Sequence, residues 1–163
     1  LAAAWLNSRL WTRRHPQPDQ IVDGIWLGRL PGAGQAQPFN ALLDLCAELP
    51  VDSRGKAYRA LAWLDLCAPA PEACLQAAEA IEMLRRQGTL LVCCALGYSR
   101  SATAVAAWLL RYGHCADVPS ALQQIQQARP QIVLGTSQLQ ALQDMLQLPS
   151  ESRSAALEIA HGH

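Results

Sequence analysis

"LLVCCALGYSRSA" (residues 90–102) sets two adjacent cysteines at the end of an apolar run, then a short polar loop and an arginine. The run "TLLVCC" (89–94) has the length and flanking signals of a buried strand. "SATAVAAWLLRYG" (101–113) reads as an apolar helix closed by Gly113. Between them, "ALGYS" becomes the turn of a strand–loop–helix unit. In such a unit backbone N–H groups curl above a helix N-terminus and, with the helix dipole, make a local anion site. Gly97 permits a loop conformation that a side chain would obstruct. A thiol at the strand end faces that field, which favours its thiolate. The fork of Arg100 can grip two oxygens of a tetrahedral dianion.

The rest of the chain reads outward from this unit. "IVDGIWLG" (21–28) is a first strand or hairpin with Gly24 and Gly28 as turn points, and "PGAGQAQP" (31–38) is a loop. "ALLDLC" (41–46) and "RALAWLDL" (59–66) are strands around a polar turn region at 50–57. "PEACLQAAEAIEMLRRQG" (71–88) is a helix with proline in its first turn, basic residues at its end and glycine as its stop. Pro119 opens a further helix that Pro130 ends, and Thr136 caps a last one, "SQLQALQDML". Strands alternating with helices predict one α/β domain with a central, mainly parallel sheet of four to five strands flanked by helices. The expected organisation is an N-terminal helix or linker over 1–20, a catalytic domain over 21–148 and a polar tail over 149–163.

Composition narrows the function classes. The chain has 163 residues, 51% hydrophobic and 16% charged, with 13 basic and 13 acidic residues. A neutral surface argues against nucleic-acid binding, so anion recognition must be local. Six cysteines form no CxxC pair, and most sit in apolar runs as buried free thiols do. That usage points to a reducing, cytoplasmic setting and away from a zinc site. The first residues, "LAAAWLNSRLWTRRH", are too short to span a bilayer. They read either as a helix packed on the domain or as the cytoplasmic end of a membrane helix, which would make the chain the cytosolic, membrane-tethered part of a larger protein.

Cys94-Ala-Leu-Gly97-Tyr-Ser-Arg100-Ser101 resembles the CxxGxxR[ST] signature of cysteine-dependent protein tyrosine phosphatases. Five residues separate Cys94 from Arg100, as that loop requires, whereas Cys93 would leave six. The similarity runs from about Ile21 to Leu146 and points to the compact dual-specificity branch. "YRALAWLDLCAP" resembles the segment that bears the general-acid aspartate, which falls on Asp65. "ARPQI" and the helix after it resemble the branch's C-terminal helical pair.

The resemblance implies a protein tyrosine phosphatase-like fold and a phosphomonoester hydrolase that needs no metal and no cofactor. Cys94 is then the nucleophile, and Ala95, Leu96, Gly97, Tyr98, Ser99 and Arg100 cradle the phosphate. Asp65 is the acid and base, with Asp52 as the other carboxylate in reach of such a loop, and Ser101 bonds the sulfur. Cys46, in "LLDLCAE", stands where some relatives place a redox partner for the nucleophile. Expected substrates are phosphorylated proteins, giving a tyrosine or dual-specificity protein phosphatase. The alternatives are a lipid-phosphate phosphatase of the same fold and a phosphate-binding pseudophosphatase. In one respect the sequence departs from the pattern: Cys93 stands where the family usually has histidine.

Overall fold

The computed structural model describes residues 16–32, 34–46, 49 and 51–149. The N-terminal helix or membrane-end expectation and the C-terminal tail fall outside these residues. Five strands form one sheet: β1 (Asp19–Val22), β2 (Ile25–Arg29), β3 (Ala41–Cys46), β4 (Ala57–Trp63) and β5 (Leu90–Cys94). Their spatial order is β1-β2-β5-β3-β4. The β1–β2 pair is antiparallel and the other three pairings are parallel, as the alternation of strands and helices predicts. Four helices follow: α1 (Pro71–Leu84), α2 (Arg100–Arg111), α3 (Val118–Ala128) and α4 (Thr136–Leu146). Among the described residues no helix is long and apolar enough to cross a membrane.

The central strand β5 divides its side chains between two cores because successive residues of a strand face opposite ways. Leu90, Val92 and Cys94 join the larger core, formed with α1, α2, α3 and α4. Leu91 and Cys93 join a smaller one with Leu42, Cys46 and Phe39, beneath the 30–39 loop. Two adjacent thiols therefore occupy opposite faces of the sheet. Trp108 anchors the larger core, donating from its indole nitrogen to Glu82 at 3.0 Å.

Several boundaries differ from expectation. Gly24 makes the β1–β2 turn at φ +76°, but Gly28 lies inside β2, opposite Cys93. A Cβ on Gly28 would stand 2.8 Å from that of Pro18, so the glycine answers a close approach rather than a turn. β4 ends at Trp63, its last ladder partner being Cys46, and leaves Leu64, Asp65 and Leu66 on a loop. The first helix gives way to a short 3-10 turn at Arg85–Gln87 before Gly88. Thr136 is the first helical residue of α4, not its cap. Gly135 holds the cap position, and its N–H donates to the returning Gln138 side chain at 2.6 Å.

Candidate active site

The phosphate-loop candidate hangs between the C-terminal end of β5 and the first turn of α2. Parallel strands bring that end together with those of β2 and β3, the edge where open α/β sheets hold their ligands. Cys94 is buried, 3% exposed, and its Sγ is met from two sides. The N–H of Gly97 donates to it at 3.2 Å, and the hydroxyl of Ser101 lies 3.3 Å away. The first is a donor aimed at the sulfur, and in the second either the thiol or the hydroxyl can donate. Ser101 is thus a partner of the sulfur rather than a helix cap. Ser99 holds the cap position but makes no side-chain cap bond; its hydroxyl accepts from Gln138 of α4 at 2.9 Å.

The loop backbone is shaped by glycine. Gly97 adopts φ +73°, and a Cβ there would come within 2.5 Å of the Arg29 nitrogen and the Gly28 oxygen. Loop and β2 touch backbone to backbone, which the missing Cβ of Gly97 makes possible. Ala95, Leu96, Tyr98 and Ser99 complete the loop as half-buried residues.

Arg100 opens α2 with its side chain almost wholly buried. Its Nη1 donates to the Trp63 carbonyl at 3.0 Å, and its Nη2 lies 3.4 Å from Asp65 Oδ1. That second contact brings the candidate acid to the loop. The Asp65 side chain is 59% exposed, so it can reach toward solvent or toward a group seated on the loop. Asp52, the other carboxylate, is elsewhere: it pairs with Arg54 at 2.8 Å on the surface and lines a cavity with Lys56.

Cys93 belongs to other surroundings. It is fully buried, its Sγ 3.6 Å from the Leu43 carbonyl, and burial, with the carboxylate of Asp44 beside it, drives its pKa well above an ordinary thiol's. A thiol so placed is no nucleophile near neutral pH. Asp44 is itself buried, accepting from the Cys46 N–H at 2.8 Å and from the Tyr58 hydroxyl at 3.1 Å. Cys46 packs with Cys93 in the smaller core, while Cys94 belongs to the larger.

Arg129 completes the site and was not singled out from sequence. It is wholly buried under the loop. Its Nε donates to the Gly97 carbonyl at 2.8 Å, its Nη1 to Asp19 at 2.6 Å and to the Gln17 carbonyl at 3.2 Å. Its guanidinium carbon stands 5.8 Å from the Tyr98 ring centroid. The one sequence signal was an arginine before the helix-ending Pro130, in a chain whose helices bury few charges. Among the described residues no group of three or more His, Cys, Asp or Glu could hold a metal ion.

Comparison with known proteins agrees with this geometry. Residues 69–147 match the family model "Dual specificity phosphatase, catalytic domain". A search of curated protein sequences returned no match. Among solved structures, Tk-PTP in its active form is 25% identical, with TM-score 0.73 over 83% of this chain and 99% of its own. Human DUSP28 is 24% identical, with TM-score 0.71 over 82% and 97%. PTPMT1 is 21% identical, with TM-score 0.68 over 90% and 100%. Over residues 69–147 the chain is similar to the catalytic domain of dual-specificity phosphatases, and the fold around that segment is that of protein tyrosine phosphatase-like structures.

Proposed function

We propose that the protein hydrolyses phosphomonoesters through a phosphocysteine on Cys94. The observation that carries the reading is the pair of contacts on Cys94 Sγ, from the Gly97 N–H and the Ser101 hydroxyl, above the N-terminus of α2. A thiolate held there attacks phosphorus, forming the S–P bond as the P–O bond to the leaving group breaks. Arg100 and the helix N-terminus stabilise the equatorial oxygens. Asp65 supplies the proton to the departing oxygen, and then, as carboxylate, accepts one from the water that attacks the phosphocysteine. Ser101 donates to the sulfur as it leaves.

The substrate class that the family resemblance implies is a phosphorylated protein side chain. A second reading, a phosphorylated lipid, is favoured by the exposed side chains of Leu64, Leu66 and Val133 on the loops that meet the 95–100 segment. PTPMT1, a structural neighbour, has been crystallised in complex with PI(5)P. Cys46 as redox partner of Cys94 remains a proposal of the same kind, tested by peptide mapping after mild peroxide. The deciding experiment for the reaction is a rapid acid quench of the protein during turnover of a radiolabelled phosphomonoester. Label should be trapped on Cys94 and absent from Cys94→Ser. Label on another residue, or none with turnover intact, would overturn the mechanism.

A further inference from the structure

Three large apolar side chains are more than half exposed among the described residues: Leu66 at 96%, Val133 at 67% and Leu64 at 66%. All three lie on loops that touch the phosphate loop. Leu64 and Leu66 flank Asp65, which reaches Arg100. Val133 donates its N–H to the Tyr98 carbonyl at 3.0 Å. Lone exposed apolar side chains are ordinary, but these three stand on two separate loops beside one mouth. Leu66 also holds φ +60°, a left-handed conformation that costs a leucine on the order of 1 kcal/mol. The backbone bears that strain while the side chain points wholly into water.

Charge and shape say what such a mouth fits. No lysine or arginine occurs between residues 60 and 84, between 95 and 99 or between 130 and 149. Arg100 is the cation of the loop, and Arg129 beneath it is bound to Asp19. The site therefore offers one anion-binding point inside an apolar collar, the complement of an amphiphile with a single phosphate. Protruding apolar side chains around one buried cation suit insertion into the outer layer of a membrane.

We propose that Leu64, Leu66 and Val133 form an apolar collar that seats the site against a lipid surface, where it takes a lipid carrying one phosphomonoester. This rests on the phosphatase reading above, and the experiment separates the two. The full chain is offered phosphatidic acid in phosphatidylcholine vesicles, dihexanoyl phosphatidic acid as a soluble monomer, a phosphotyrosine peptide and p-nitrophenyl phosphate. Turnover on vesicles should exceed that on the monomer roughly tenfold or more. Leu66→Asn suits the left-handed backbone, and with Val133→Gln it should each lower vesicle sedimentation and the vesicle-to-monomer ratio by roughly tenfold, the scale of one apolar side chain withdrawn from lipid. Using the ratio within each variant cancels any effect on the chemical step, and thermal unfolding confirms the fold. Equal turnover on vesicle and monomer, ratios indifferent to both substitutions, or a phosphopeptide preferred and lost with Leu66→Asn would each overturn the proposal. Failure to hydrolyse p-nitrophenyl phosphate would instead overturn the phosphatase reading beneath it.

Discussion

The guanidinium of Arg129 donates to the carbonyl of Gly97 at 2.8 Å, joining the end of α3 to the middle of the loop between β5 and α2. Through its Nη1 the same group holds Asp19 and the Gln17 carbonyl, so the loop, β1 and the segment before β1 share one buried cation. Arg129→Lys keeps the charge but loses the fork, and one ammonium cannot serve three acceptors in that geometry. Turnover should fall by roughly 10–100-fold, the equivalent of one charged hydrogen bond. The loss should appear in kcat/KM and in the rate of Cys94 alkylation by iodoacetate. Asp19→Asn, which leaves the bond to Gly97 in place, should lose stability with a smaller fall in turnover. Unchanged turnover in Arg129→Lys would remove Arg129 from the positioning of the loop.

Gly97→Ala tests the contact between loop and sheet. The added methyl would meet the Gly28 carbonyl and the Arg29 nitrogen, both backbone, and the residue would keep an unfavourable φ. Backbone cannot swing aside as a side-chain tip can. The loop must move, taking its N–H away from Cys94 Sγ, and turnover should fall at least a hundredfold, on the order of the loss of one oxyanion donor. The helices and sheet should keep their far-ultraviolet circular dichroism.

Cys93 and Cys94 are separated by one peptide bond and by the whole thickness of the sheet, which makes them a matched pair of controls. Cys94→Ser should abolish turnover, because a hydroxyl in the same place is far less acidic. Cys93→Ser should retain substantial turnover, since its hydroxyl can donate to the Leu43 carbonyl as the thiol does. A dead Cys93→Ser beside an active Cys94→Ser would put the nucleophile in the other core.

Much of this was legible in the sequence because periodicity and spacing carry it. "TLLVCC" reads as the buried strand it is, and the five-residue interval from Cys94 to Arg100 is the one the phosphatase signature it resembles requires, whereas the placing of the two thiols in separate cores shows only in the packing. Asp65 came only with the family resemblance of "YRALAWLDLCAP", a stretch that reads as strand to Leu66 in the sequence but leaves the sheet after Trp63. What stayed hidden depends on contacts between distant segments. Nothing local in "GIWLGR" shows that Gly28 lies against Gly97, and the mark on Arg129 is visible only once Asp19 and the loop surround it. The cap of α4 was misplaced for the same reason. Gln138 supplies the capping oxygen while its amide holds Ser99, a task set by the fold and not by the helix.

Asp65→Ala should lower kcat roughly 10²–10⁴-fold on an alkyl phosphate or a phosphoserine peptide, the usual weight of a general acid. On p-nitrophenyl phosphate, whose leaving group is already acidic, the loss should be much smaller. The contrast between substrates is the measurement, because loss of the contact to Arg100 would depress both alike. An equal loss on both would make Asp65 a positioning partner of Arg100 and not the proton donor.

Glu79 gives a stability prediction with a definite pH sign. It is 5% exposed in α1, its Oε1 is buried without a hydrogen-bond partner among the described residues, and burial raises its pKa against the opposing pull of Arg111 and Arg59. A raised carboxyl pKa means the folded state binds the proton more tightly than the unfolded chain, whose glutamate titrates near ~4.3. Below that value no charge is buried and the ionisation penalty is absent. As pH rises from there through the folded-state pKa the carboxylate must be ionised while buried, and stability falls. Above it the full penalty persists. Glu79→Gln carries no charge to bury, so at pH 7 it should be more stable than the native chain by about 1 kcal/mol, the scale of one unpaired buried polar group. Thermal unfolding should show a midpoint a few degrees higher at pH 7, with the two curves converging near pH 4. A variant less stable than the native chain at pH 7 would show that Arg59 and Arg111 compensate the carboxylate in full, and that the fold depends on its charge.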